Sequence, residues 1–199
     1  MKEVVNNGKI LTPVVRKASP DDINGIMDVA LSVGNSQKSH ESGFLMDDYA
    51  GETDYYIEKF TKLINELDHF YVVEDGLILG FLIAYCKDEW LHYNPTWIDD
   101  IIWSPEFDMK NTDRFMLVDK TAIHKDLTAR GLGSLLYDSL IHDIKSEDIC
   151  DMFAETLISP VPNFASLNFR IKQKYSLAGV RYEKYKGILY TDIVYHKTI

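Results

Sequence analysis

The sequence predicts an α/β fold, and three observations carry that expectation. Segments with apolar residues at helical spacing alternate with short β-rich runs along the chain. Two of these runs flank Asp75–Gly76, a dipeptide that favours the tight turn of a β-hairpin. A further run, 115–123, passes through a turn with two glycines directly into an amphipathic segment. With 199 residues, 46% of them hydrophobic and 26% charged, the chain fits one domain with a sizeable core.

A tail over 1–12 precedes a domain spanning 13–199. Val14–Val15–Arg16 reads as a short strand. Ser19–Pro20–Asp21–Asp22 then opens a helix: the serine can cap, proline suits the first turn and the aspartates complement the helix dipole. Ile23, Ile26, Met27 and Ala30 continue it at helical spacing, and Gly34 is its stop. Residues 35–51 are polar and read as a loop. Tyr56, Phe60, Leu63, Ile64 and Leu67 mark a second amphipathic helix over 54–67. Runs 70–74 and 77–86 form the expected hairpin. Residues 87–114 break the pattern with Trp90, Trp97 and Trp103 and two prolines, and read as an insertion with a short helix near 97–102. A strand over 115–123, a turn over 127–133 and a helix over 134–144 follow. A buried strand over 149–158, a helix over 163–174, a short strand over 181–185 and a final strand over 188–196 complete the chain.

Composition narrows the function classes. The net charge of −10 disfavours a general nucleic-acid binder, which needs an excess of Lys and Arg to neutralise phosphates. No apolar run approaches the roughly 20 residues of a membrane span, and Met1–Ile10 lacks the apolar centre of a signal peptide. Cys86 and Cys150 each fall in an apolar stretch outside any CxxC, so two buried free thiols are expected, with no metal and a reducing, cytoplasmic setting.

The informative stretch runs from Thr121 to Ser134, as Thr-Ala-Ile-His-Lys-Asp-Leu-Thr-Ala-Arg-Gly-Leu-Gly-Ser. Gly131 and Gly133 let the backbone come close to a ligand, and the N–H groups that open the next helix point outward. Such a turn holds a pyrophosphate without requiring a cationic side chain. The segment contains neither GxxxxGK[ST] nor GxGxxG, so it is neither a P-loop nor a dinucleotide fingerprint.

Arg130–Gly131–Leu132–Gly133 before an amphipathic helix resembles the acetyl-CoA loop of the GNAT superfamily of N-acetyltransferases, whose pattern is Gln/Arg-x-x-Gly-x-Gly/Ala. The first position is Thr128 here. The Ser-Pro-Asp-Asp opening, the hairpin ending in Leu79–Gly80–Phe81, and Pro162–Asn163–Phe164–Ala165–Ser166 through Phe169 resemble other blocks of that family in the same order. The resemblance covers 13–197 apart from 87–114. It implies a mixed, mostly antiparallel central sheet flanked by helices and splayed at the acetyl-CoA-binding strand. It implies acetyl-CoA as acyl donor, no metal, and direct attack by an amine of a small molecule or protein; the family often forms homodimers. The alternative is a domain of the same fold that binds acyl-CoA without turnover.

On this resemblance, acetyl-CoA is expected to contact Ala122, Ile123, Thr128, Ala129, Arg130, Gly131, Leu132, Gly133, Ser134 and Asn163. Acyl transfer to an amine needs a proton acceptor, a stabilised oxyanion and a protonated leaving thiolate. Tyr175 is the candidate acid; with Asn168 aligned to the family's asparagine, it falls at the family's tyrosine position. For the base, Glu155 on its buried strand stands beside Asp119 and His124, and a water relay is equally compatible. The three tryptophans and the acidic residues of 87–114 are candidates for a cationic acceptor site by cation–π and charge contacts, or for an aromatic-packed or interface element.

Overall fold

The computed structural model describes residues 4–6, 9–34, 40–41 and 43–199. The stretch expected as a tail pairs with itself: β1 (Val4–Asn6) and β2 (Lys9–Leu11) form an antiparallel ladder. Asn7 and Gly8, between them in sequence, lie outside the described residues, as do parts of the expected loop 35–51. β3 (Val14–Lys17) leads through a 3₁₀ turn, Pro20–Asp22, into α1 (Ile23–Val33). The capping expectation at Ser19 holds in a reciprocal form, because its N–H and hydroxyl both donate to the Asp22 carboxylate, at 2.7 and 3.0 Å. α2 (Thr53–Glu66), β4 (Phe70–Glu74) and β5 (Ile78–Cys86) follow as the apolar spacing and the Asp75–Gly76 turn require. Gly76 has φ +73°, the left-handed conformation that selects glycine there.

The insertion is more regular than its sequence suggests. α3 (Lys87–Tyr93) starts where the Cys86 N–H donates to Glu89 Oε2 at 2.7 Å, and Pro95 follows its end. No helix forms over 97–102. Instead Ile101, Ile102 and Trp103 form β6, since the β-branched pair finds a strand to join. β7 (Phe115–Ile123), α4 (Leu132–Ser146), β8 (Asp151–Ser159), α5 (Phe164–Lys172), β9 (Ser176–Tyr185) and β10 (Ile188–Thr198) complete the order. β9 runs twice the expected length because its register with β10 continues from Tyr185 back to Ser176.

Eight strands take the order β3-β4-β5-β7-β8-β10-β9-β6, a mixed sheet whose described ladders are antiparallel except for parallel β7–β8. The fold class expected from the sequence is therefore observed.

The chain divides into two compact units. The first comprises described residues of Met1–Lys38, Phe44–Ile83 and Lys120–His142. Its core is aromatic: Phe60 of α2 packs edge-on against Phe70 and Phe81 of the hairpin, with centroids 6.2 and 5.7 Å apart. Each such ring withdrawn from water is worth about 1.5–3 kcal/mol. The second comprises described residues of Ser39–Gly43, Ala84–Asp119 and Asp143–Ile199. Here Trp97 packs against Phe115 and Phe153, 5.5 and 5.7 Å away. Of the two thiols, Cys86 is half-buried but Cys150 is exposed. Cys150 directly precedes β8, so it stands at a strand end instead of within the apolar layer.

Candidate functional site

In the first unit, β7 ends beside a glycine. A Cβ on Gly80 of β5 would lie 2.5 Å from the Ile123 side chain and 2.7 Å from the Ala122 carbonyl oxygen. Only glycine lets the two backbones come this close. The His124 N–H donates to the Leu79 carbonyl at 2.9 Å, which fixes the strand's exit. Ala122 is buried and Ile123 half-buried, so their side chains turn toward the core.

A 3₁₀ turn, Lys125–Leu127, follows, capped by His124, whose Nδ1 accepts from the Asp126 N–H at 3.4 Å. The turn is tied to α1, since the Lys125 N–H donates to Ser32 Oγ at 3.2 Å. The Thr128 hydroxyl donates to the Lys125 carbonyl at 3.3 Å, and the Arg130 guanidinium donates to the Asp126 carbonyl at 3.0 Å. These side chains therefore brace the loop from within. Ala129 (φ +61°) and Gly131 (φ +89°) both take left-handed backbone, with Arg130 between them. For alanine this conformation costs about 1–2 kcal/mol, and such strain concentrates at ligand-binding turns. Leu132 and Gly133 begin α4, and the Ser134 and Leu135 N–H groups donate back to the Gly131 carbonyl at 3.0 and 3.2 Å. A helix start of this kind presents N–H groups and positive dipole to an anion.

In the second unit, the β7–β8 ladder spans only Phe115↔Asp151 to Val118↔Ala154, though both strands are longer than that ladder. Asp119 lies half-buried just past it. Asn163 caps α5, its Oδ1 accepting from the Ser166 N–H at 3.1 Å while its own N–H donates to the Leu157 carbonyl at 2.9 Å.

The two catalytic candidates fall on opposite faces of the β8–β10–β9 sheet. Thr156 hydrogen-bonds Ser166 of α5, so Ala154 and Thr156 face that helix and Glu155 faces away. Tyr195 pairs with Ala154 and so shares the α5 face. Tyr175 joins it there, 8% exposed, with Tyr195 6.5 Å from its ring and the Arg170 guanidinium 5.4 Å from it. On the other face, Glu155 Oε1 and Oε2 accept from Arg181 at 2.6 and 3.0 Å, and Oε1 also accepts from the Trp97 indole at 3.2 Å. Burial pushes the Glu155 carboxyl above the usual range, while Arg181 and Trp97 pull against it.

The tryptophans of the insertion are packed by other rings. Trp97 is 1% exposed and meets Trp90 and Trp103 edge-on, at 6.2 and 6.3 Å. Trp103 stacks on Phe107 at 4.7 Å. Arg181 and Asp192 escaped the sequence reading. A lone aspartate between the β-formers of Tyr190–Val194 was the available signal, because Asp is depleted in strands.

No protein-family model and no curated sequence matches this chain. Solved structures do. The PaiA N-acetyltransferase from Thermoplasma acidophilum, in complex with coenzyme A, superposes with a TM-score of 0.61 at 16% identity, covering 95% of this chain and 100% of that one. The ribosomal-protein-S18-alanine N-acetyltransferase from Escherichia coli gives 0.58 at 12% identity, with 94% of each chain covered. Naa20 from Chaetomium thermophilum, in complex with a bisubstrate analogue, gives 0.56 at 16%, covering 94% of this chain and 86% of that one. At these identities the likeness is one of fold.

Proposed function

We propose, with the GNAT N-acetyltransferase fold as premise, that this chain is an acetyl-CoA-dependent N-acetyltransferase. One observation carries the reading: the β7–turn–α4 segment, with left-handed Ala129 and Gly131 ahead of a helix start. That arrangement would direct N–H groups at a pyrophosphate. Thr128 to Ser134 would hold the phosphates, and Ala122 and Ile123 the pantetheine through their backbone. Asn163, as the cap of α5, would border the donor.

The acceptor amine attacks the thioester carbon, and the tetrahedral intermediate expels the CoA thiolate. Tyr175 is the proposed acid; a phenol with a reference pKa near 10 can protonate a thiolate. Glu155, which faces away from Tyr175, is the proposed proton acceptor by way of a water relay, with burial raising its affinity for a proton and Arg181 fixing its orientation. The protein is read as cytoplasmic. Among the described residues, no helix is long and apolar enough to cross a membrane.

The test is thiol release from acetyl-CoA against a panel of amines. Amine-dependent release is expected, and Tyr175→Phe should lower kcat by about 10²–10⁴-fold with little change in KM for acetyl-CoA. Glu155→Gln should abolish the acidic limb of the pH–rate profile, where protonation of this carboxylate otherwise lowers the rate. Acetyl-CoA binding without amine-dependent release for any acceptor would instead leave a non-catalytic binding module.

A further inference from the structure

Arg181 sits among three carboxylates on one face of the second unit. Its Nε and Nη2 bind Glu155, and its Nη1 binds Glu183 Oε2 at 2.8 Å. Asp192 of β10 is the Cα partner of Arg181 on β9 and of Leu157 on β8, so it shares the face of Glu155. The β10–β8 register shifts between Thr191 and Asp192, an irregularity of the kind that re-aims a side chain. Asp192 is only 8% exposed, yet among the described residues its carboxylate makes no hydrogen bond and no ion pair. Burial, and the charges of Glu155 and Glu183, push its carboxyl up to about 7, with Arg181 opposing.

A buried carboxylate without a partner is costly, and a ligand that brings the missing charge removes that cost. Arg181 does not do so: its three bonds go to Glu155 and Glu183, and it acts on Asp192 only through its charge, with no hydrogen bond between them. A metal ion does not suit the geometry, since no three His, Cys, Asp or Glu side chains among the described residues converge on a common point. An ammonium needs only one carboxylate and supplies three donors. A quaternary ammonium has no N–H to donate and so cannot supply the missing hydrogen bonds. Trp97, packed by its neighbours, offers no open ring face for a cation.

We infer that Asp192, backed by Glu155, Glu183 and Arg181, is a binding site for a primary alkylammonium group. Its role as the acceptor's anchor rests on the transferase reading, but the binding itself does not. The site selects acceptors that are cationic and unbranched at nitrogen.

The test is carboxyl-carbon NMR of Asp192 in the full chain, titrated from about pH 5 to about pH 9. It is run alone and with n-butylammonium, n-butanol or tetramethylammonium. n-Butylammonium should lower the Asp192 midpoint by about one unit or more, a tenfold competition with the proton. The other two probes should leave it in place. Asp192→Asn should weaken n-butylammonium binding by about tenfold or more, with acetyl-CoA affinity unchanged. A midpoint that n-butylammonium does not move, or that all three probes move alike, overturns the site whether or not the variant folds. If acetyl-CoA still binds in that sample, the transferase reading stands without it.

Discussion

Two aspartates set opposite pH limits on stability. Asp22 is held to about 2, first by its hydrogen bonds from Arg16, which reach it at 2.7 and 2.8 Å. A depressed carboxyl stabilises the fold above its unfolded value and loses that contribution as pH falls from about 4 to about 2. Asp192, raised to about 7 by burial, behaves in reverse: the folded state holds the extra proton, so its contribution is lost as pH rises from about 4 to about 7. Urea denaturation should show a decline across that upper window, of at most about 1.4 kcal/mol per pH unit from this group. Asp192→Asn should flatten that decline. Asp22→Asn should cost about 2 kcal/mol near neutrality and nothing at the acid extreme. An unchanged upper slope in Asp192→Asn would show that its carboxyl is not raised.

At the scale of elements, the proposed donor site depends on backbone conformation. Gly131→Ala meets no atom within 4 Å, so its penalty is purely that of the left-handed turn. It should weaken acetyl-CoA binding by about tenfold, whereas Ala129→Gly should relieve strain and raise stability by up to about 1 kcal/mol. Gly80→Ala drives a methyl into the Ala122 carbonyl and should displace the end of β7, reducing acetyl-CoA affinity while leaving the hairpin intact. Calorimetric titration of the two glycine variants and urea denaturation of Ala129→Gly check these. These elements were legible because local chemistry determines them. The spacing of α1 and α2, the Asp75–Gly76 turn and the two glycines before α4 each act within a few residues. What was not legible is set by distant partners. Ile101–Trp103 becomes a strand only because Val180 and its neighbours offer an edge. Glu155 meets Arg181 across 26 residues of sequence. The opposite facing of Glu155 and Tyr175 depends on the β8–β10 register, which no periodicity in either strand fixes alone.

For the molecule as a whole, a net charge of −10 would attract the proposed cationic acceptor and repel the proposed anionic donor. On this proposal, donor affinity would come from the N–H groups of the β7–α4 turn. Raising ionic strength should weaken the on-rate of a cationic amine and strengthen acetyl-CoA binding. Acetyl-CoA binding comes first in the proposed function, because transfer, acid catalysis and acceptor choice all presuppose it. The most direct measurement is calorimetric titration of acetyl-CoA into the full chain, with Gly131→Ala alongside. Saturable binding at one site, weakened about tenfold in the variant, is the predicted result. An absence of binding, or equal affinity in both proteins, would contradict the assignment of this turn as the acetyl-CoA site.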